Sequence, residues 1–148
     1  MNKEDKQLLL KDLYGRSPYG VKCCVRNNHK LCGNLVGIVG ENIYIFSSGC
    51  STFNISVIIP YLFPLSSMTE EQKEEYYSLA DDVTIKPIPG RLGMRIHCIK
   101  LGISDNPHEE VWDYVDLDAI DWLNKNHFDY RGLIKKGLAI DATGLNIY

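Results

Sequence analysis

Residues 21–59 read VKCCVRNNHKLCGNLVGIVGENIYIFSSGCSTFNISVII, and the hydrophobic period of this run decides the fold class. Its apolar residues come in short segments broken by Asn27-Asn28 and Gly40-Glu41-Asn42, residues that tolerate tight turns. The pattern predicts strands over Val21–Arg26, Leu31–Val39, Ile43–Phe46 and Thr52–Ile59, the last ended by Pro60. Leu31, Leu35 and Val39 are placed on one face of the second strand, with Gly33 and Gly37 between them. Glycines so placed permit sharp bending or a close approach of backbones.

Upstream, Leu9, Leu10, Leu13 and Tyr14 recur at helical spacing, which predicts an opening helix over residues 3–14 with Gly15 as its terminating glycine. Ser17-Pro18-Tyr19-Gly20 then turns the chain. A helix followed by short, bent antiparallel strands points to a small barrel or half-barrel of the SH3-like or Sm-like kind, an analogy of fold that leaves function open. Downstream, Pro60 to Pro64 reads as a rigid connector, and Thr69 with Gln72 forms a capping box, with Ser67 and Glu70 as the alternative cap, for a helix running to about residue 80. Further strands are expected over Val83–Ile88, Arg91–Leu101 and Val111–Val115. Asp116 is placed as the N-cap of a helix through Asn126, with Leu117, Ile120, Leu123 and Trp122 on its core face, and a second short helix is expected from Arg131 to Ala139. The whole is one α+β domain over residues 1–148: a helix and small β-unit in 1–60, then helix, strands and a C-terminal helical block in 61–148.

A chain of 148 residues, 45% hydrophobic and 24% charged, has the length and composition to bury a core without metal or disulfide staples. No apolar run approaches the roughly 20 residues of a membrane span, and the charged N-terminus lacks the features of a secretory leader. The expectation is a cytosolic protein without a membrane partner, its five cysteines (23, 24, 32, 50 and 98) reduced. Residues 1–60 carry seven Lys or Arg against four Asp or Glu, too weak an excess to imply nucleic acid; Lys22, Arg26 and Lys30 are the residues such a partner would use.

The densest polar stretch is His127-Phe128-Asp129-Tyr130-Arg131, with Lys135 further on. A His–Asp pair beside an arginine can hold an anion or move protons, so His127, Asp129, Tyr130 and Arg131 are the candidate ligand-binding residues. The structural reading of the same residues is stronger: Asp129 caps the segment that Arg131 begins, His127 ends the preceding helix, and Tyr130 turns inward. Cys23, Cys24, His29, Cys32, His97 and Cys98 lack the paired short spacings of a zinc site. Adjacent Cys23 and Cys24 on a strand point to opposite faces. No nucleophile turn marks a catalytic cysteine or serine, and Gly33, Gly37 and Gly40 lack the Lys-Ser/Thr of a phosphate loop. No catalytic residue, metal or cofactor is assigned.

Two blocks, PYLFPLSSMTEE (60–71) and DWLNKNHFDYRGLIKKGLA (121–139), together with Pro18-Tyr19-Gly20-Val21-Lys22, resemble a group of small uncharacterised proteins encoded by phages and prophages of gut Bacteroidales. The chain departs from that group at Phe63, where a basic residue is expected, and in its Thr143-Gly144-Leu145-Asn146 ending. The resemblance implies an accessory protein of a mobile element and carries over no catalytic residue. The expected function is a non-enzymatic binding or adaptor protein, its partner a protein or a small anionic molecule near Arg131; the alternative is a small enzyme acting on a nucleotide or nucleic acid.

Overall fold

The computed structural model describes residues 1–80 and 117–148. The strands expected over 83–88, 91–101 and 111–115, the Asp116 cap, and His97 and Cys98 lie outside the described residues. The described elements, in chain order, are α1 (Lys3–Arg16), β1 (Lys22–Val25), β2 (Asn28–Val39), β3 (Asn42–Phe46), β4 (Cys50–Asn54), β5 (Ile58–Leu62), α2 (Glu70–Ala80), α3 (Leu117–Lys125) and β6 (Ile140–Asp141). This is the expected α+β architecture.

The strands form one sheet in the order β4-β3-β2-β1-β5-β6. The pairs from β4 to β5 are antiparallel, and β6 joins β5 in parallel. Among the described residues the sheet is open, so the small SH3-like or Sm-like barrel expected from the sequence is not closed. The outer side of β5 is taken by β6 from the C-terminal segment, leaving β4 and β6 at opposite edges. A close approach of backbones is built into β2. A Cβ at Gly33 would overlap the Phe46 carbonyl of β3, so only glycine allows that approach. The register then slips between Leu35 and Gly37. That bulge puts Val39 out of phase with buried Leu35 and leaves it exposed; Leu31, ahead of the bulge, is exposed as well, so the expected single face does not form. The strand expected over Thr52–Ile59 is also two strands, because Ile55–Val57 forms a 3₁₀ turn with Asn54 capping Ser56 N at 3.0 Å. Pro60 lies inside β5, short of the two residues that β6 pairs with.

Helix α1 is capped by Asn2, whose side chain accepts from Asp5 N at 2.7 Å. It runs past Gly15 to Arg16. Gly15 does not end it; a Cβ there would press on the Asn124 amide at 3.1 Å, so the missing side chain lets α3 come close. The buried stripe of α1 is Leu9, Asp12, Leu13 and Arg16, while Tyr14, expected on the apolar face, is exposed. Leu9 and Leu13 pack with Val21, Leu35, Ile43, Ile45, Ile58 and Leu62 of the sheet region.

A second cluster joins Met68, Tyr76, Ala119, Trp122, Leu123 and Phe128 between α2 and α3. The Thr69–Gln72 capping box opens α2, with Thr69 N to Gln72 Oε1 at 2.9 Å and Gln72 N to Thr69 Oγ1 at 3.2 Å. On α3 the core side is Ala119, Trp122, Leu123 and Asn124. Leu117 is exposed, contrary to its expected place on that face. None of the described helices is long and apolar enough to cross a membrane.

The Cys24 and Cys32 side chains, opposite one another on β1 and β2, form a disulfide. The expectation of reduced thiols fails here, because the strand register places the two residues side by side. The pleat does separate the adjacent pair: Cys23 lies in the main core while Cys24 faces Cys32 and Tyr61, whose hydroxyl is 3.1 Å from Cys24 Sγ.

Candidate functional site

The polar residues of the C-terminal stretch meet α1 at a buried joint. Asp12 and Arg16, one helical turn apart, have no exposed side-chain surface and pair twice, Nε to Oδ2 at 2.7 Å and Nη2 to Oδ1 at 3.1 Å. Arg16 Nη2 also donates to the Phe128 carbonyl at 2.7 Å, and Nη1 to the Leu123 carbonyl at 3.4 Å. The last carbonyls of a helix lack intrahelical partners and carry partial negative charge. A guanidinium from α1 therefore finishes α3.

Tyr130 and Arg131 extend the same network. The Tyr130 hydroxyl donates to Asn124 Oδ1 at 3.0 Å and accepts from Arg131 Nη2 at 2.8 Å. The guanidinium carbons of Arg16 and Arg131 lie 5.5 Å and 4.6 Å from the centre of its ring. Arg131 Nε sits 3.4 Å from Asp12 Oδ1, in ion-pair range but without a hydrogen bond.

Asp129 accepts from Leu133 N through Oδ1 and from Ile134 N through Oδ2, both at 2.8 Å. It is a cap, as expected. What it caps is a run of turns and not the short helix expected from Arg131 to Ala139. Gly132 and Gly137 take φ of 72° and 66°, breaking the segment into turns.

His127 stands apart from these partners. The chain leaves α3 through paired bonds, His127 N to Asn124 O at 3.2 Å and Phe128 N to Leu123 O at 3.0 Å, the double closure that usually places glycine at the left-handed position. Here that position is His127, with φ 59°, the one non-glycine residue at positive φ among the described residues. Holding a side chain there costs about 1–2 kcal/mol.

The imidazole is buried, and among the described residues its Nδ1 has no hydrogen-bond partner. It stacks on Tyr148, ring centres 4.2 Å apart and planes 20° from parallel. Burial, aided by the positive charge of Arg16, lowers its pKa from 6.5 to about 4, so the ring is neutral at pH 7. Tyr148 is anchored by its hydroxyl, which donates to Tyr61 O at 2.8 Å and accepts from Lys22 N at 3.1 Å. Burial raises that hydroxyl's pKa.

His127 and Tyr148 form one wall of a surface groove of about 420 Å³. Phe63 and Phe128 add aromatic surface, with Phe63 5.7 Å from Tyr148 and 6.2 Å from Phe128 between ring centres. Ser67, Gln72, Asn126, Thr143 and Lys125 supply its polar lining.

The four sequence candidates therefore divide. Asp129, Tyr130 and Arg131 belong to the joint, His127 to the groove, and no hydrogen bond links His127 to Asp129. Asp12 and Arg16 escaped sequence reading although both fall at core-facing positions of the Leu9–Leu13 stripe, where a charged pair is unusual. Tyr148 gave no signal, since its role depends on a contact across the fold. Among the described residues no three His, Cys, Asp or Glu side chains gather as metal ligands. Comparison with family models, curated proteins and solved structures returns no match.

Proposed function

We propose that this chain is a non-enzymatic binding module whose binding face is the groove beside His127. One observation carries the reading: the ionisable residues of the C-terminal cluster are occupied in holding the fold, and the imidazole left beside the groove has no acid or base partner among the described residues. Both Asp129 oxygens hold backbone amides, and Arg131 faces the carboxylate of Asp12. Proton-transfer chemistry needs the base and its orienting group in contact. The partner is a small molecule, and the anionic ligand expected near Arg131 is moved to the groove, where Lys125 supplies the positive charge. A cytosolic accessory role in a mobile element is part of the proposal and rests on the two resembling sequence blocks.

Nucleic acid is the weaker partner. The Arg26 guanidinium donates to Gly137 O at 2.9 Å, and the Lys22 ammonium lies 3.5 Å from Ile147 O, so both side chains are drawn to the C-terminal segment.

The reading is tested by offering the protein a nucleoside triphosphate and a short single-stranded RNA, each with and without Mg²⁺. Both should remain intact by ³¹P NMR and gel. Turnover that disappears in His127→Ala would replace the binding module with an enzyme.

A further inference from the structure

We infer that the groove beside His127 is a binding site for a small planar molecule bearing one anionic group, an aromatic carboxylate or an aromatic phosphate monoester. The inference rests on the binding-module reading and names the ligand class for that site.

Three observations carry it. The first is the placement of His127. A left-handed helix exit is open to glycine without penalty, yet the chain holds an imidazole there that lines the groove, its Nδ1 buried and unpartnered among the described residues. A buried polar atom without a partner leaves a hydrogen bond unmade, and a ligand that enters the groove and displaces the side chains covering Nδ1 would complete it. The second is flat surface: the nearly parallel His127 and Tyr148 rings and the Phe63 ring next to them. Such faces favour stacked or edge-on rings over branched aliphatic groups. The third is charge. Among the described lining residues Lys125 is the one cationic side chain and there is no carboxylate, which favours one negative group over two. A volume of about 420 Å³ sits at the small end of the usual range for ligand pockets, the size of a molecule with one or two rings.

The experiment titrates the ¹⁵N-labelled protein with benzoate and with phenyl phosphate. The controls are cyclohexanecarboxylate, an anion whose ring is saturated and not planar, and benzamide, an aromatic ring without charge. The His127 imidazole nitrogens and the Lys125 and Tyr148 amides report binding. At least one aromatic anion should give saturable shifts at these residues, and each control should bind at least tenfold more weakly. Lys125→Glu should abolish the response. His127→Gly, which relieves the left-handed backbone and so retains the fold, should lose it as well.

Binding by cyclohexanecarboxylate equal to benzoate overturns the aromatic assignment, and equal binding by benzamide overturns the anionic one. Undiminished binding by His127→Gly overturns the site, and the absence of saturable shifts with both aromatic anions overturns the ligand class. Hydrolysis of phenyl phosphate during the titration would overturn the binding-module reading itself, a result distinguishable from all of these.

Discussion

The guanidinium of Arg16 donates to the carbonyl of Phe128 at 2.7 Å while it pairs with Asp12 in full burial. A single side chain of the first helix thus ties down the chain just beyond α3, more than a hundred residues later. Each charge is tolerable only because the other is present. Removing one partner of a buried pair leaves an uncompensated charge, at a cost of about 3–5 kcal/mol. Arg16→Met should lose about that much in chemical denaturation, and Asp12→Leu a similar amount. The double variant should recover most of the loss, held short of full recovery by the Arg16 bonds to the Phe128 and Leu123 carbonyls that it removes. Additive losses in the double variant would show that the two residues do not act as a pair.

Asp129 makes a different demand, since each of its oxygens holds one backbone amide. Asp129→Ala should cost about 2 kcal/mol, near the upper end for caps because the acceptor is charged and buried. Asp129→Asn keeps one acceptor and should cost about half as much. Thermal or urea unfolding reads both. A loss of ligand response in Asp129→Asn at unchanged stability would show that the carboxylate serves the groove and not the turn.

The sheet was legible wherever local chemistry set it. Asn27, Gly40 and the Thr69–Gln72 box announce their turns and cap through short-range bonds, and those features stand where the sequence places them. Features that depend on distant neighbours were not legible. Gly15 reads as a helix stop in isolation and is instead a point of contact with Asn124. Leu35 and Val39 keep the spacing of one face, which the bulge at Leu35–Gly37 divides. Arg131 to Ala139 has helical spacing, but Gly132 and Gly137 at positive φ break it. Of the site, Asp129 could be read because capping is local. The isolation of His127 could not, because its stacking partner Tyr148 is held by β1 and β5.

The disulfide between Cys24 and Cys32 closes a short loop, with a sequence separation of 8. A loop that short restricts the unfolded chain modestly, by about 2–3 kcal/mol in the chain-entropy account. Cys24→Ser with Cys32→Ser should therefore fold and lose no more than about 2–3 kcal/mol. Peptide mapping under non-reducing conditions should recover the two residues linked. Their recovery as separate alkylated thiols from protein handled without reductant would restore the reduced state expected from the sequence.

The last prediction concerns pH. The folded-state pKa of His127 is lowered to about 4 from 6.5. Between those values the unfolded chain takes up a proton that the folded chain refuses, so stability falls as pH drops through this window and is unaffected above it. After discounting for solvent reaching the ring, the loss is on the order of 2 kcal/mol. His127→Gly removes the titrating group and the left-handed side chain together. Its stability at pH 7 should match or exceed that of the parent, the relieved backbone offsetting the lost Tyr148 stack. Its stability should also decline less between pH 6.5 and 4, as read by denaturation at a series of pH values. Parallel pH profiles for the two proteins would mean that the imidazole is already solvated in the fold, and the unpartnered nitrogen would then no longer mark a ligand position.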